Sequence, residues 1–257
     1  TLFVGAIATE DRRLFVKAYR KPDETILAVH QASFIHYYFH QHFTTVKPTQ
    51  YDENFVFYPL LPHKAKEPDM AKIAETLIVI SQEYHDVFRF NTKPALDYVN
   101  LNLPSLLQKE GRIEFWKELR NLLTASPAIA SIPVHGDITP WNLFNSDHTL
   151  PVLIDYERAG WHVPYYDWWH LQYQYAILHH KTPSLDNLLN KLQRASGQDR
   201  VFLLRTGLIY MLDQLSYDLQ DREDYPKYKN RLTNAIQTRF KIAESFVRKL
   251  HEAANAA

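Results

Sequence analysis

Residues 132–144, IPVHGDITPWNLF, set a histidine, a glycine, an aspartate and an asparagine between two apolar runs. Residues 150–160, LPVLIDYERAG, repeat the device, with Asp155 and Glu157 at the end of another β-prone run. Polar groups gathered at strand ends sit on loops held by a rigid frame, the usual position of chemistry in a folded chain. His135, Asp137 and Asn142 stand in the spacing H-x-D-x-x-x-x-N, and Asp155 follows Asn142 by 13 residues. Between them NLF and PVLIDY flank the turn NSDHT, which reads as a short hairpin. A loop followed by a hairpin presents Asp137, Asn142 and Asp155 to one cleft.

Phosphoryl transfer asks for such a set. Negative charge spreads over phosphate oxygens, and a cation held by hard oxygen ligands must neutralise it. A base must stand beside the attacking hydroxyl. The spacing is that of a kinase catalytic loop, in which the Asp takes the hydroxyl proton and the Asn holds a metal ion, and Asp155 stands where a kinase carries its main metal carboxylate. Upstream, Lys17 ends LFVK on the second strand of a hairpin formed by TLFVGAIAT and RRLFVKAYR. That is the position of a lysine gripping α- and β-phosphates.

HGDITPWN and IDYE resemble the H-G-D-x-x-x-x-N and I-D-x-E patterns of the aminoglycoside phosphotransferase and choline kinase group. The resemblance implies an α+β, bilobal kinase-like fold, with a small sheet-rich N-lobe over residues 1–61 and a larger, mainly helical C-lobe over 62–257. It implies ATP or GTP with Mg²⁺, and phosphorylation of a hydroxyl on a small molecule or sugar. Carried over by position, Asp137 is the base, Asn142 and Asp155 are metal ligands, and Lys17 binds phosphate. Glu157 is open between a metal-site role and a solvated loop charge. Asp167 resembles the family's structural aspartate, or caps the helix that follows. The alternative to an enzyme is a kinase-like nucleotide-binding or regulatory module without activity.

Two departures from the group stand out. Only 16 residues precede Lys17, so a first strand and phosphate-covering loop are expected upstream, unless ATEDRR, with Arg12 and Arg13, does their work. By position, the acidic partner of the lysine should fall near QAS in the following helix, where Gln31 stands. Glutamine can bond an ammonium but carries no charge, and Glu24 at the helix start is the available substitute.

Composition removes other classes. Lys+Arg and Asp+Glu both number 29, and a zero net charge gives no broad nucleic-acid surface. There is no cysteine, so no disulfide or thiolate chemistry. No apolar run approaches the roughly 20 residues of a membrane span, and no signal peptide is visible; a cytoplasmic location is the expectation. No Gly-Lys-Ser/Thr, Gly-x-Gly, Gly-x-Ser-x-Gly or His-Glu-x-x-His occurs. His36 and His40 have a zinc-compatible spacing, but among 13 histidines such a pair reads as ordinary helix positions.

The remaining segments read as a helix from Asp23, as its N-cap, with Ile26, Val29, Phe34 and Tyr37 on one side. A strand in NFVFYPLL and a proline-marked crossing at 59–62 follow. Helices broken at Pro104 and Gly111 come next, then helices from Tyr165 onward. Trp141 is expected to wedge under the loop. The aromatic run YYDWWHLQYQY is expected to be mostly core.

Overall fold

The computed structural model describes residues 3–8, 13–48, 50–59, 68–145, 150–179, 181 and 183–255. Residues 9–12 of ATEDRR, most of the crossing at 59–62, and residues 146–149 of NSDHT lie outside the described residues.

Strands β1 (Phe3–Ala8) and β2 (Arg13–Ala18) precede helix α1 (Pro22–Phe39) and strands β3 (Thr44–Thr45), β4 (Gln50–Asp52) and β5 (Phe55–Pro59). Helix α2 (Met70–Val87), strand β6 (Thr92–Lys93), a 3₁₀ turn (Ala95–Tyr98) and helices α3 (Leu103–Lys109) and α4 (Ile113–Thr124) follow. Next come strands β7 (Ile129–Ala130), β8 (Ile132–Val134), β9 (Leu143–Phe144), β10 (Val152–Leu153) and β11 (Gly160–His162). Helices α5 (Tyr166–Leu178), α6 (Leu185–Ser196), α7 (Arg200–Asp224) and α8 (Lys229–Asn255) complete the chain. The architecture is α+β, with the largest sheet near the N-terminus and helices dominating afterwards. Two compact units divide it: Thr1–Thr76 with Pro133–Trp161, and Leu77–Ile132 with His162–Ala257.

The first unit is built on an antiparallel sheet in the order β1-β2-β5-β4. Lys17 sits on an inner strand, opposite Val4 on one side and Val56 on the other. Tyr19, Ala28 and Val56 form a buried cluster with Val29 and Tyr58 packed on it, so α1 covers the sheet. Helix α1 starts one residue before the expected cap: Lys21 holds the cap position and makes no capping bond. Its buried face is Thr25, Ala28, Ala32, Ile35 and Phe39. Ile26 and Tyr37, expected toward the core, are exposed. Polar and apolar residues are scattered round the helix, so periodicity does not choose a face. Small Ala28 and Ala32 lie on the buried face. A second, three-stranded sheet has the order β3-β10-β9, with β10 antiparallel to β9 as expected. Its parallel pairing with the two-residue β3 was not legible.

The second unit is helical. Tyr165, Trp168, Trp169 and Tyr173 are all buried, as expected for the aromatic run, and Tyr210 of α7 is buried beside them. Helices α5, α7 and α8 converge at Gly207, where an added Cβ would stand 2.5 Å from the Phe246 ring and 2.9 Å from that of Trp169. Buried Arg239 is paired with Asp218 at 2.6 Å and accepts no solvent role. Ser184 and Asp199 cap α6 and α7 by accepting the backbone N–H groups of Asn187 and Phe202. Pro104 lies in the first turn of α3 and starts that helix instead of breaking one.

Candidate active site

The loop after β8 is fastened before it does anything else. His135 is fully buried. Its Nδ1 accepts from the backbone N–H of Asp137 at 3.2 Å, which makes Nε2 the protonated nitrogen, and Nε2 donates to the Ile154 carbonyl at 3.0 Å. One neutral imidazole thereby ties the Asp137 loop to the residue preceding Asp155. Gly136 explains the H-G-D form of the motif. Its φ is +84°, and a Cβ there would lie 2.3 Å from the Arg158 carbonyl oxygen. Only glycine lets these two backbones pass so closely.

Asn142 is buried, and its Nδ2 donates to the Asp137 carbonyl at 2.9 Å and to the Asp137 carboxylate at 3.1 Å. The amide nitrogen is therefore committed to Asp137, and Oδ1 is the atom left to face a cation. The Asn142 carbonyl accepts from Ile154 N–H at 3.1 Å, closing the loop onto the strand that carries Asp155. Asp155 itself is left-handed, with φ +66°, a strained conformation of the kind held at functional sites. Tyr156 anchors the far side: its hydroxyl donates to the Leu153 carbonyl at 2.5 Å and accepts from Val46 N–H at 2.6 Å. Burial pushes its phenol pKa well up, so it stays neutral.

Lys17 meets this floor from β2. Its Nζ is 2.5 Å from Asp155 Oδ1 and 3.0 Å from Glu157 Oε1. Burial opposes the charged ammonium, but the two carboxylates outweigh it and the lysine pKa is raised. Tyr19, two residues on, donates to Glu157 Oε1 at 3.2 Å, and burial and the Glu157 charge both hold its phenol neutral.

Lys17, Asp137, Asn142, Asp155 and Glu157 thus fall in the same compact unit. The candidate donors are hard oxygens, the Asp155 carboxylate and the Asn142 amide; Glu157, the third expected donor, is instead bonded to Lys17 and Tyr19. Among the described residues no group of three or more His, Cys, Asp or Glu could alone hold a metal. Hard oxygen donors of this kind match a hard divalent cation such as Mg²⁺ or Ca²⁺.

Other expected residues lie elsewhere. Glu24 accepts from Arg20 N–H at 3.1 Å at the start of α1. Gln31 Nε2 donates to the backbone carbonyls of Glu157, at 2.7 Å, and Ala159, at 3.4 Å. His36 engages Thr45 and His40 bonds back to its own helix. Trp141 is 44% exposed, so it does not wedge under the loop. Asp167 is buried as the second residue of α5, inside the helix instead of at its cap. Tyr19 and Tyr156 were not anticipated. For Tyr19 a signal existed, because alternate residues of an extended strand share a face and Lys17 lies two before it.

A family model described as "Phosphotransferase enzyme family" (APH) matches residues 73–204, just over half of the 257 residues. The chain belongs to that family and is a phosphotransferase. No curated protein is significantly similar in sequence. Solved structures share the kinase-like fold at low identity. The choline kinase LicA of Streptococcus pneumoniae, also solved with AMP, is 15% identical with a TM-score of 0.60, over 94% of this chain and 89% of that one. An ethanolamine kinase of Plasmodium vivax is 11% identical with a TM-score of 0.57, over 95% and 83%. The amicoumacin kinase hAmiN, in complex with AMP-PNP, Ca²⁺ and Ami, is 12% identical with a TM-score of 0.51, over 91% and 88%. Among the described residues, no helix is long and apolar enough to cross a membrane.

Proposed function

We propose that this chain transfers the terminal phosphoryl group of ATP or GTP to a hydroxyl of a small molecule or sugar. One observation carries the reading. Lys17 of β2 bonds the left-handed Asp155 at 2.5 Å, Asn142 bonds Asp137 at 3.1 Å, and the Ile154 N–H ties the two pairs together through the Asn142 carbonyl at 3.1 Å, all in a single unit. The kinases of choline, ethanolamine and amicoumacin that share the fold support a small hydroxyl-bearing acceptor, and the AMP and AMP-PNP complexes support a nucleotide donor.

In this reading Asp137 takes the proton of the acceptor hydroxyl as its oxygen bonds to the terminal phosphorus. The bond from that phosphorus to the bridging oxygen breaks, and the nucleoside diphosphate leaves with the electron pair. Asn142 keeps Asp137 oriented through Nδ2. Lys17 gives up Asp155 for phosphate oxygens. Asn142 Oδ1 and Asp155 would hold Mg²⁺, which when bound neutralises charge on the phosphates.

Thermal unfolding with and without Mg²⁺-ATP tests the nucleotide half of the reading. Ligand at 100 times its Kd stabilises a folded chain by about 2.7 kcal/mol. Wild type should show the rise and Asp155→Ala should lose it. An unchanged rise in Asp155→Ala would remove Asp155 from the metal site.

A further inference from the structure

The helix position where an acid is expected to pair with Lys17 holds Gln31, yet Lys17 is buried, and a buried ammonium needs a carboxylate. Two are in contact. Asp155 is one, but a residue that must also bind metal cannot serve as the lysine's permanent partner. Glu157 is the other, at 3.0 Å. Its Oε1 is held a second time by the Tyr19 hydroxyl at 3.2 Å, and its backbone carbonyl is held by Gln31 Nε2 at 2.7 Å.

We infer that the acidic partner of Lys17 has moved from α1 to the loop after β10: Glu157 positions the lysine, and Gln31 uses the former acid position to fasten the backbone of Glu157. The chemistry at residue 31 supports the transfer. An amide N–H can donate to the carbonyls of Glu157 and Ala159. A carboxylate in its place would have no hydrogen to give and would face two oxygen atoms. Glutamine is therefore what this geometry requires, and restoring an acid there should harm the site. Tyr19 adds a second fixed contact, so Glu157 keeps its place when Lys17 turns toward phosphate. Glu157 is a positioning residue in this scheme, acting on nucleotide through Lys17.

The inference rests on Lys17 binding phosphate, and a double-mutant cycle separates the two claims. Binding of AMP-PNP with Mg²⁺ is measured by titration calorimetry for wild type, Lys17→Met, Glu157→Gln and the double variant, each first checked for folding by circular dichroism. Lys17→Met should weaken binding, and Glu157→Gln should weaken it about tenfold, the size of a charge-assisted hydrogen bond. On the Lys17→Met background Glu157→Gln should change affinity less than about twofold, because its only route to the nucleotide is gone. The Mg²⁺ concentration giving half-maximal binding should be the same in Lys17→Met and the double variant. Gln31→Glu should also weaken binding, despite adding an acid on α1. A full Glu157→Gln loss on the Lys17→Met background, a shifted Mg²⁺ requirement there, or tighter binding by Gln31→Glu would each overturn the inference. If Lys17→Met leaves affinity unchanged, the phosphate role of Lys17 fails, and this inference with it.

Discussion

Gly136→Ala is a one-carbon change whose effect the geometry sets in advance. The residue has φ +84°, and the new Cβ would stand 2.3 Å from the Arg158 oxygen and 2.9 Å from its carbonyl carbon and Cβ. An L side chain in left-handed backbone costs about 1–2 kcal/mol. The clash is with backbone, so no rotamer relieves it. To reach even 3.0 Å from the oxygen, the two segments must part by 0.7 Å, the difference between 3.0 and 2.3 Å. Overpacking of this kind costs about 1–3 kcal/mol, which brings the expected loss to about 2–5 kcal/mol and a fall in melting temperature on the order of 10 °C. The parting also moves Asp137 away from Asp155, because Gly136 adjoins one and Arg158 lies three residues after the other. A misplacement of about 1 Å can cost on the order of 100-fold in rate. Scanning calorimetry and a phosphotransfer assay measure the two effects. A variant melting within about 2 °C of wild type and turning over at a similar rate would mean that the close passage of these loops does not set the site.

Tyr156→Phe removes a buried hydroxyl that bridges Val46 N–H and the Leu153 carbonyl, and should cost about 1–3 kcal/mol, read by chemical denaturation. A loss below about 0.5 kcal/mol would show that the bridge between β3 and β10 holds little. At Asp186, hydrogen bonding and attraction from Lys249, and then from Arg200, lower the carboxyl pKa even though the residue is exposed. A depressed carboxylate stabilises the fold above its unfolded pKa and loses that contribution as pH falls through the folded value. Asp186→Asn should therefore cost less than about 1 kcal/mol at neutral pH, and the gap should close in acid as the pH falls below the ordinary aspartate pKa of about 3.9. A gap that widens in acid would reverse the assigned sign.

Local spacing carried the site. The residues from His135 to Asn142 and the Asp155 carboxylate are close in sequence, and their roles depend on a turn and a hairpin that the chain spells out. The face of α1 was not legible, because Ile26, Val29, Phe34 and Tyr37 are as apolar as the residues that are buried. Contacts bridging well over a hundred residues were also beyond reach. Lys17 meets Glu157 across 140 positions, and Gln31 meets the same residue's backbone across 126. A glutamine at the expected acid position looked like a loss until the loop it fastens was in view. The pairing of Thr44–Thr45 with β10 involves two residues per strand, too short for any periodicity to mark.

The account turns on Asp137 as the base. The decisive measurement is transfer of the labelled terminal phosphate of ATP to a panel of amino alcohols, sugars and aminoglycosides, comparing wild type with Asp137→Asn at saturating Mg²⁺-ATP. Wild type should phosphorylate at least one acceptor. Asp137→Asn should bind nucleotide as wild type does and lose a factor of about 100 or more in turnover, the size of a lost general base. Near-wild-type transfer by Asp137→Asn would contradict the account, and nucleotide binding with no transfer to any acceptor by wild type would favour a binding module over an enzyme.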